Sequence, residues 1–153
     1  MAVTPAPPSE LTDAELAAWK GFVRVHTALA RRLDGELEAA HGLSLSSFEV
    51  LKALRCSPEG KLRMADLAEH ALLSRSGMTR LVDRLERQGL LTRCQCSDDA
   101  RGCFAVLSPA GEALLDRARP THLESVRAGF LSHLEPDELE RLAAIFERML
   151  AAP

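Results

Sequence analysis

Within fourteen residues, Ser74 to Arg87, the sequence SRSGMTRLVDRLER places four arginines and three hydroxyl side chains. Arginine bridges O6 and N7 of a guanine through paired hydrogen bonds, and short hydroxyls reach base edges or phosphate oxygens. Met78, Leu81, Val82 and Leu85 fall at i, i+3, i+4 and i+7, one apolar helical stripe that must face a core. The opposite side then carries Ser76, Thr79, Arg80, Asp83 and Arg87, with Arg84 on its flank. A rod of that width, rich in donors on one side, fits the major groove of a duplex. The competing reading is a solvated face, because Asp83 and Glu86 stand at ion-pair spacing from Arg80, Arg84 and Arg87. The neighbouring segments decide for the groove.

Leu90 to Cys96 and Gly102 to Leu107 read as strands joined by Ser97-Asp98-Asp99-Ala100-Arg101, a turn-rich set. Arg101 lies near the hairpin tip, where an arginine can enter a minor groove narrowed by A·T-rich sequence. Asp99, a poor partner for phosphate, is expected to brace Arg101 or Arg93. Cys94 and Cys96 share one face of their strand, and Cys103 could lie opposite one of them. A disulfide or a soft metal there would distort the hairpin and loosen its hold on DNA, a redox- or metal-responsive switch. The alternative is small, inert filling, and with no histidine or fourth ligand nearby no metal or cofactor is assigned.

The elements that position these groups follow from the rest of the chain. Met1 to Glu10, with its prolines, reads as a disordered arm, and a single domain is expected over residues 11–153. Thr12-Asp13-Ala14-Glu15 is a capping box, with Leu11 and Leu16 as its hydrophobic staple. From Leu16 through Trp19, Val23, His26, Ala30, Leu33, Leu37 and Ala40 the spacings alternate between three and four. That is a heptad-like seam on a helix of about 29 residues, ended by Gly42, and it suits packing against another subunit. His26 and Trp19 on it are either packed core groups or ligand contacts beside a crevice between helices.

Ser46-Ser47-Phe48-Glu49 reads as a second capping box, stapled by Leu45 and Val50, and its helix breaks at Ser57-Pro58-Glu59-Gly60. Lys61-Leu62-Arg63 is a candidate strand pairing with the later hairpin. Met64, Leu67, Ala68 and Ala71 mark a short helix, Leu72 and Leu73 fill the turn, and Ser74 caps the arginine-bearing helix, which Gly89 ends. Ser108-Pro109 starts a helix that runs to Pro120, where it either kinks or begins anew. Leu134-Glu135-Pro136 opens a last helix with Leu139, Leu142, Phe146 and Met149 at heptad spacing. Apolar seams at both ends of the chain are what a two-fold dimer of terminal helices needs. The dimerisation region is expected at residues 11–42 and 109–153, with a winged helix-turn-helix lobe at 45–107. The fold class is therefore mainly α, with a small β-hairpin wing.

Composition agrees with a helical body, since 46% of the 153 residues are hydrophobic but only 4% aromatic. The net charge of −3 is uneven: Lys61 to Arg101 carries +2, which suits a polyanion at one face only. No apolar run is long enough to span a membrane and MAVTPAPPSE lacks the parts of a secretory signal, so a cytoplasmic protein with reduced cysteines is expected. An enzyme is not. Ser74, Ser76, His26, His41, His70, His122 and His133 have no nucleophile elbow, phosphate-binding glycine loop or metal-ligand pair around them in sequence.

The run LSRSGMTRLVDRLERQGLLTR, then Asp99-x-Arg101, then Leu107-Ser108-x-x-Gly111, resembles the MarR (multiple-antibiotic-resistance regulator) family of bacterial winged-helix transcription factors. The likeness covers nearly the whole chain from Leu11, with Ser108 standing where the family usually has threonine. It implies a homodimeric regulator, a repressor in the main, on a pseudo-palindromic operator of double-stranded DNA. Ser74, Arg75, Ser76, Thr79, Arg80 and Arg84 would contact DNA, and Arg101 would be the wing arginine. It also implies release by a small aromatic or phenolic effector lodged between the dimerisation helices and the winged lobe. Trp19, Val23, His26 and Phe48 are the residues proposed for that pocket. The rival from another class is a winged-helix module whose arginine face meets an acidic protein.

Overall fold

Thr12 opens the first helix as its capping box requires: its hydroxyl accepts from the Glu15 amide while the Glu15 carboxylate takes the Thr12 amide at 2.8 Å. In this computed structural model, which describes residues 10–70, 75–95 and 103–152, α1 runs Asp13–His41. Gly42 stops it at φ 61°, a left-handed conformation that glycine adopts without strain. The remaining elements are α2 (Leu45–Cys56), β1 (Lys61–Arg63), α3 (Met64–His70), α4 (Arg75–Arg87), β2 (Leu91–Gln95), β3 (Cys103–Leu107), α5 (Pro109–Gly129), a 3-10 turn (Leu131–His133) and α6 (Pro136–Ala151).

One boundary corrects the sequence reading, and another decides between its two alternatives. The cap of α2 is Ser44, not Ser46: the Ser44 hydroxyl accepts from the Ser47 amide at 3.2 Å, and Asp34 of α1 takes the Leu45 amide at 2.8 Å. A carboxylate from a distant turn supplied what local spacing assigned to Ser46, so the helix starts earlier. At Pro120 α5 continues as one helix to Gly129 rather than restarting. The disordered-arm expectation for residues 1–9, the plug at Leu72 and Leu73 and the Ser74 cap lie outside the described residues.

The strands form an antiparallel sheet ordered β1-β3-β2, so the anticipated short strand does pair with the hairpin. Lys61, Leu62 and Arg63 face Val106, Ala105 and Phe104, while Leu91, Arg93 and Cys94 face Leu107, Ala105 and Phe104. The fully buried Leu91 and Ala105 close on the core, where Phe48, Leu51, Leu54, Leu67, Val82, Leu85 and Leu115 meet. All four stripe residues of α4 are inside it: Met78, Leu81, Val82 and Leu85 are at most 6% exposed. The outer side of α4 is thereby fixed by burial of the inner one.

The terminal seams point the other way. Among the seam residues of α1 only Leu37 is buried, whereas Trp19 is 59% exposed and Val23 41%. No residue of α6 is buried, and Leu139, Ile145 and Met149 stand open to solvent. Among the described residues no helix is long and apolar enough to cross a membrane.

Candidate nucleic-acid interface

Burial of the α4 stripe turns Ser76, Thr79, Arg80, Arg84 and Arg87 outward, all exposed. Whether their charge is available depends on Asp83 and Glu86, and the structure commits both elsewhere. Arg93 of β2 donates to Asp83 Oδ1 and, at 3.2 Å, to Glu86 Oε2, while the Arg93 amide donates to Glu86 Oε1 at 3.0 Å. The hydrogen bond to Asp83 holds the guanidinium more firmly protonated than usual. Among the described residues no carboxylate is ion-paired with Arg80, Arg84 or Arg87, so the intrahelical pairs of the solvated-face reading do not form. Sequence reasoning missed this use of Arg93. Its signal was parity: Arg93 shares a strand face with buried Leu91, and a charge on a core-facing side needs a partner.

The outer arginines are not equivalent. Arg84 donates to the hydroxyls of Ser47, at 3.1 Å, and Ser44, at 3.3 Å, tying α4 to the start of α2. Arg87 donates to the carbonyl of Asp83 at 3.3 Å. Ser74, Asp99 and Arg101 lie outside the described residues, as does the side chain of Arg75. The bracing expected of Asp99 on Arg93 is supplied, on the described residues, by Asp83 and Glu86.

Beyond α4 the chain is tied into a knot that gives the Leu-Ser-x-x-Gly run its meaning. Leu90 N donates to Leu85 O and Gly89 N to Glu86 O, both 2.9 Å, with Gly89 at φ 72°. Ser108 caps α5 through the Gly111 amide, at 3.0 Å, and gives its own proton to the Gly89 carbonyl at 2.6 Å. A Cβ on Gly111 would overlap the Leu90 carbonyl oxygen and stand 2.9 Å from a Leu107 methyl. The end of α4 and the start of α5 are thus locked together by the absence of a side chain.

The four residues proposed for an effector pocket are not assembled within the chain. Trp19, Phe22 and His26 form a ladder along α1, with ring centroids 6.2 and 6.3 Å apart. Phe48 is buried and packs on His122 of α5 at 4.5 Å, beside the contact of His41 with Thr121 at 2.8 Å. That level of α1 is 22 residues from Trp19, about 33 Å along the helix. His122 Nδ1 is buried and has no hydrogen-bond partner among the described residues, and burial pulls the imidazole pKa below its usual range. A cleft of about 560 Å³ lies instead between α1, from Val25 to Arg32, and the end of α5 with Phe130, His133 and Leu134.

The cysteine expectation is corrected by the register. Cys103 pairs with Gln95 and Cys94 with Phe104, so Cys94 and Cys103 point to opposite faces of the hairpin. A bridge between them is excluded by that parity, while Cys96 lies outside the described residues. Among the described residues no group of three metal-ligating side chains occurs.

Comparison with known proteins agrees with this architecture. The model of the MarR family matches residues 41–102. The chain is 32% identical over 108 residues to the HTH-type transcriptional regulator YkoM of Bacillus subtilis (strain 168), across 71% of this chain and 68% of the relative. It is 27% identical over 111 residues to the homoprotocatechuate degradative operon repressor of Escherichia coli, across 72% and 73% respectively. Among solved structures it is similar to Sco3205, a MarR family transcriptional regulator from Streptomyces coelicolor in complex with DNA. There the TM-score is 0.88 and the identity 33%, over 94% of this chain and 90% of that one. Shared along almost its full length with a regulator solved on DNA, the sequence and fold place this chain in the MarR family of DNA-binding transcriptional regulators, which are not enzymes.

Proposed function

We propose that two copies of this chain join through α1, α5 and α6 and act in the cytoplasm as a repressor on a pseudo-palindromic operator. The observation that carries the reading is the capture of Asp83 and Glu86 by Arg93, which leaves the outer face of α4 cationic. On this reading Ser74, Arg75, Ser76, Thr79 and Arg80 meet the major groove, Arg84 stands at its edge, and Arg101 enters the adjacent minor groove. Dimerisation is supported by the open apolar residues of α1 and α6, a surface that one protomer leaves in water.

The effector is a small aromatic or phenolic molecule, a class suggested by the operon for which the similar Escherichia coli repressor is named. A seat built from Trp19, Val23, His26 and Phe48 together has to draw on both protomers, given the 33 Å or so that separate Trp19 from Phe48's level of α1. Light scattering of the purified protein, with titration of a selected duplex by wild type and Arg80→Ala, tests the reading. A dimer whose Arg80→Ala form binds about 5- to 150-fold more weakly supports it, at roughly 1 to 3 kcal/mol per base contact. A monomer, or a variant that binds unchanged, refutes it.

A further inference from the structure

Helix α2 touches both the arginine-bearing α4 and α5, one of the helices proposed to join two copies, and a histidine sits in the second of those contacts. Phe48 of α2 is buried against the His122 ring of α5, with 4.5 Å between centroids. The preceding residue, Ser47, accepts from Arg84 of α4 at 3.1 Å, so the segment that meets His122 also holds α4. Arg55, further along α2, donates to Asp116 of α5 at 2.5 Å.

His122 suits this place only while it is neutral. Its Nδ1 is buried and has no hydrogen-bond partner among the described residues. A neutral imidazole can leave that nitrogen without a hydrogen, whereas an imidazolium carries N–H on both nitrogens and would aim one of them at no acceptor. Nor is a carboxylate free to offset the charge. The charged groups acting on His122 from α2 are Glu49 and Lys52, which pair with each other at 2.5 Å. The Lys52 ammonium already lies 5.8 Å from the centroid of the Phe48 ring, so an imidazolium would bring a second cation to it. From α1 the neighbour is His41, whose Nε2 bonds Thr121 Oγ1 at 2.8 Å. A hydroxyl donates or accepts, so that bond survives either charge state of His41. On α5 itself Arg119, one turn back, adds like charge. The His122 side chain is only half-buried, and water is within reach of the rest of the ring.

We propose that His122 is a proton-operated latch: neutral, it holds Phe48 and with it α2, and on taking up a proton it leaves the Phe48 ring, so that Arg84 and α4 lose their position relative to α5 and DNA is released. This rests on the placement of α4 at DNA proposed above. The sign is diagnostic. Histidines that simply gain charge near a polyanion strengthen binding as pH falls, whereas the latch weakens it.

The test titrates full-length wild type, His122→Phe, His122→Leu, His41→Asn and His70→Gln against a duplex recovered from a random pool at pH 7.5. Affinities are taken at pH 7.5 and 5.5 at one ionic strength, with circular dichroism giving the folded fraction at each. Wild type, counted as folded protein, should bind about fivefold or more weakly at pH 5.5. Both His122 variants should hold their affinity or gain it on acidification, while His41→Asn and His70→Gln keep the wild-type loss. Equal or tighter binding by wild type at pH 5.5 overturns the inference alone. So does a loss that merely tracks the folded fraction, one that the His122 variants retain, or one that His41→Asn or His70→Gln abolishes. Failure to recover any preferred duplex at pH 7.5 would instead bring down the underlying placement of α4.

Discussion

Arg93 on β2 reaches Glu86 on α4 at 3.2 Å with its side chain while its amide holds the same carboxylate at 3.0 Å. One residue of the hairpin thus occupies the acid that would otherwise quench the arginines of α4, and Asp83 is taken by the same guanidinium. The contact serves two ends. It fixes the hairpin to α4, and it makes the outer face of that helix cationic in a chain whose net charge is −3.

Arg93→Met should release both carboxylates beside Arg80, Arg84 and Arg87. Stability should fall only by about 1 kcal/mol, because Asp83 and Glu86 are more than a third exposed and water screens the pairs. Operator affinity should fall more, by roughly tenfold at low salt, through like-charge repulsion of phosphate. Adding Asp83→Asn and Glu86→Gln should restore binding without restoring stability, as read by a salt-dependent titration alongside chemical denaturation.

Gly111→Ala should cost about 2 to 3 kcal/mol, since its Cβ would meet the Leu90 backbone rather than a movable side chain. Gly35, inside α1, has nothing within 4 Å of the same position. There Gly→Ala should stabilise by about 0.5 to 1 kcal/mol. Paired thermal melts should therefore move in opposite directions, and a common sign would contradict the packing described.

Arg84→Ala should weaken DNA binding less than Arg80→Ala, because Arg84 is already engaged by Ser44 and Ser47. It should lower stability by about 0.5 to 1.5 kcal/mol, as the tie between α4 and α2 is lost. Measuring both quantities on both variants checks the division of labour: Arg80→Ala should leave the melt unchanged.

His122 gives a pH dependence whose sign is fixed. Burial lowers its folded pKa below the ordinary 6.5, so the unfolded chain binds the proton more readily. The contribution is present in full above about pH 6.5 and is lost as pH falls through the lower folded value. Denaturation at pH 7.5 and 5.5 should show a drop that His122→Phe reduces. An equal drop in the variant would assign the dependence to other groups.

Local and periodic features were legible in the sequence. The Thr12 box, the Gly42 and Gly89 stops, the α4 stripe and the short β1 strand all rest on spacing within one or two turns, and each stands as expected. What spacing could not carry were contacts between distant residues. Asp34 filling the Leu45 amide moved the α2 cap, and Arg93 taking Asp83 and Glu86 replaced the intrahelical pairs. The candidate ligand residues lie apart within the chain for a similar reason. A seam on a 29-residue helix says which side is apolar but not which level of it meets Phe48.

The most direct measurement is selection of bound duplexes from a random pool by the purified protein, followed by sequencing. A two-fold pair of α4 helices should enrich an inverted repeat whose half-site centres lie about one helical turn, roughly 10 base pairs, or a multiple of it apart. Enrichment of a single asymmetric half-site, or of no motif at all, would contradict a dimer reading successive grooves through α4.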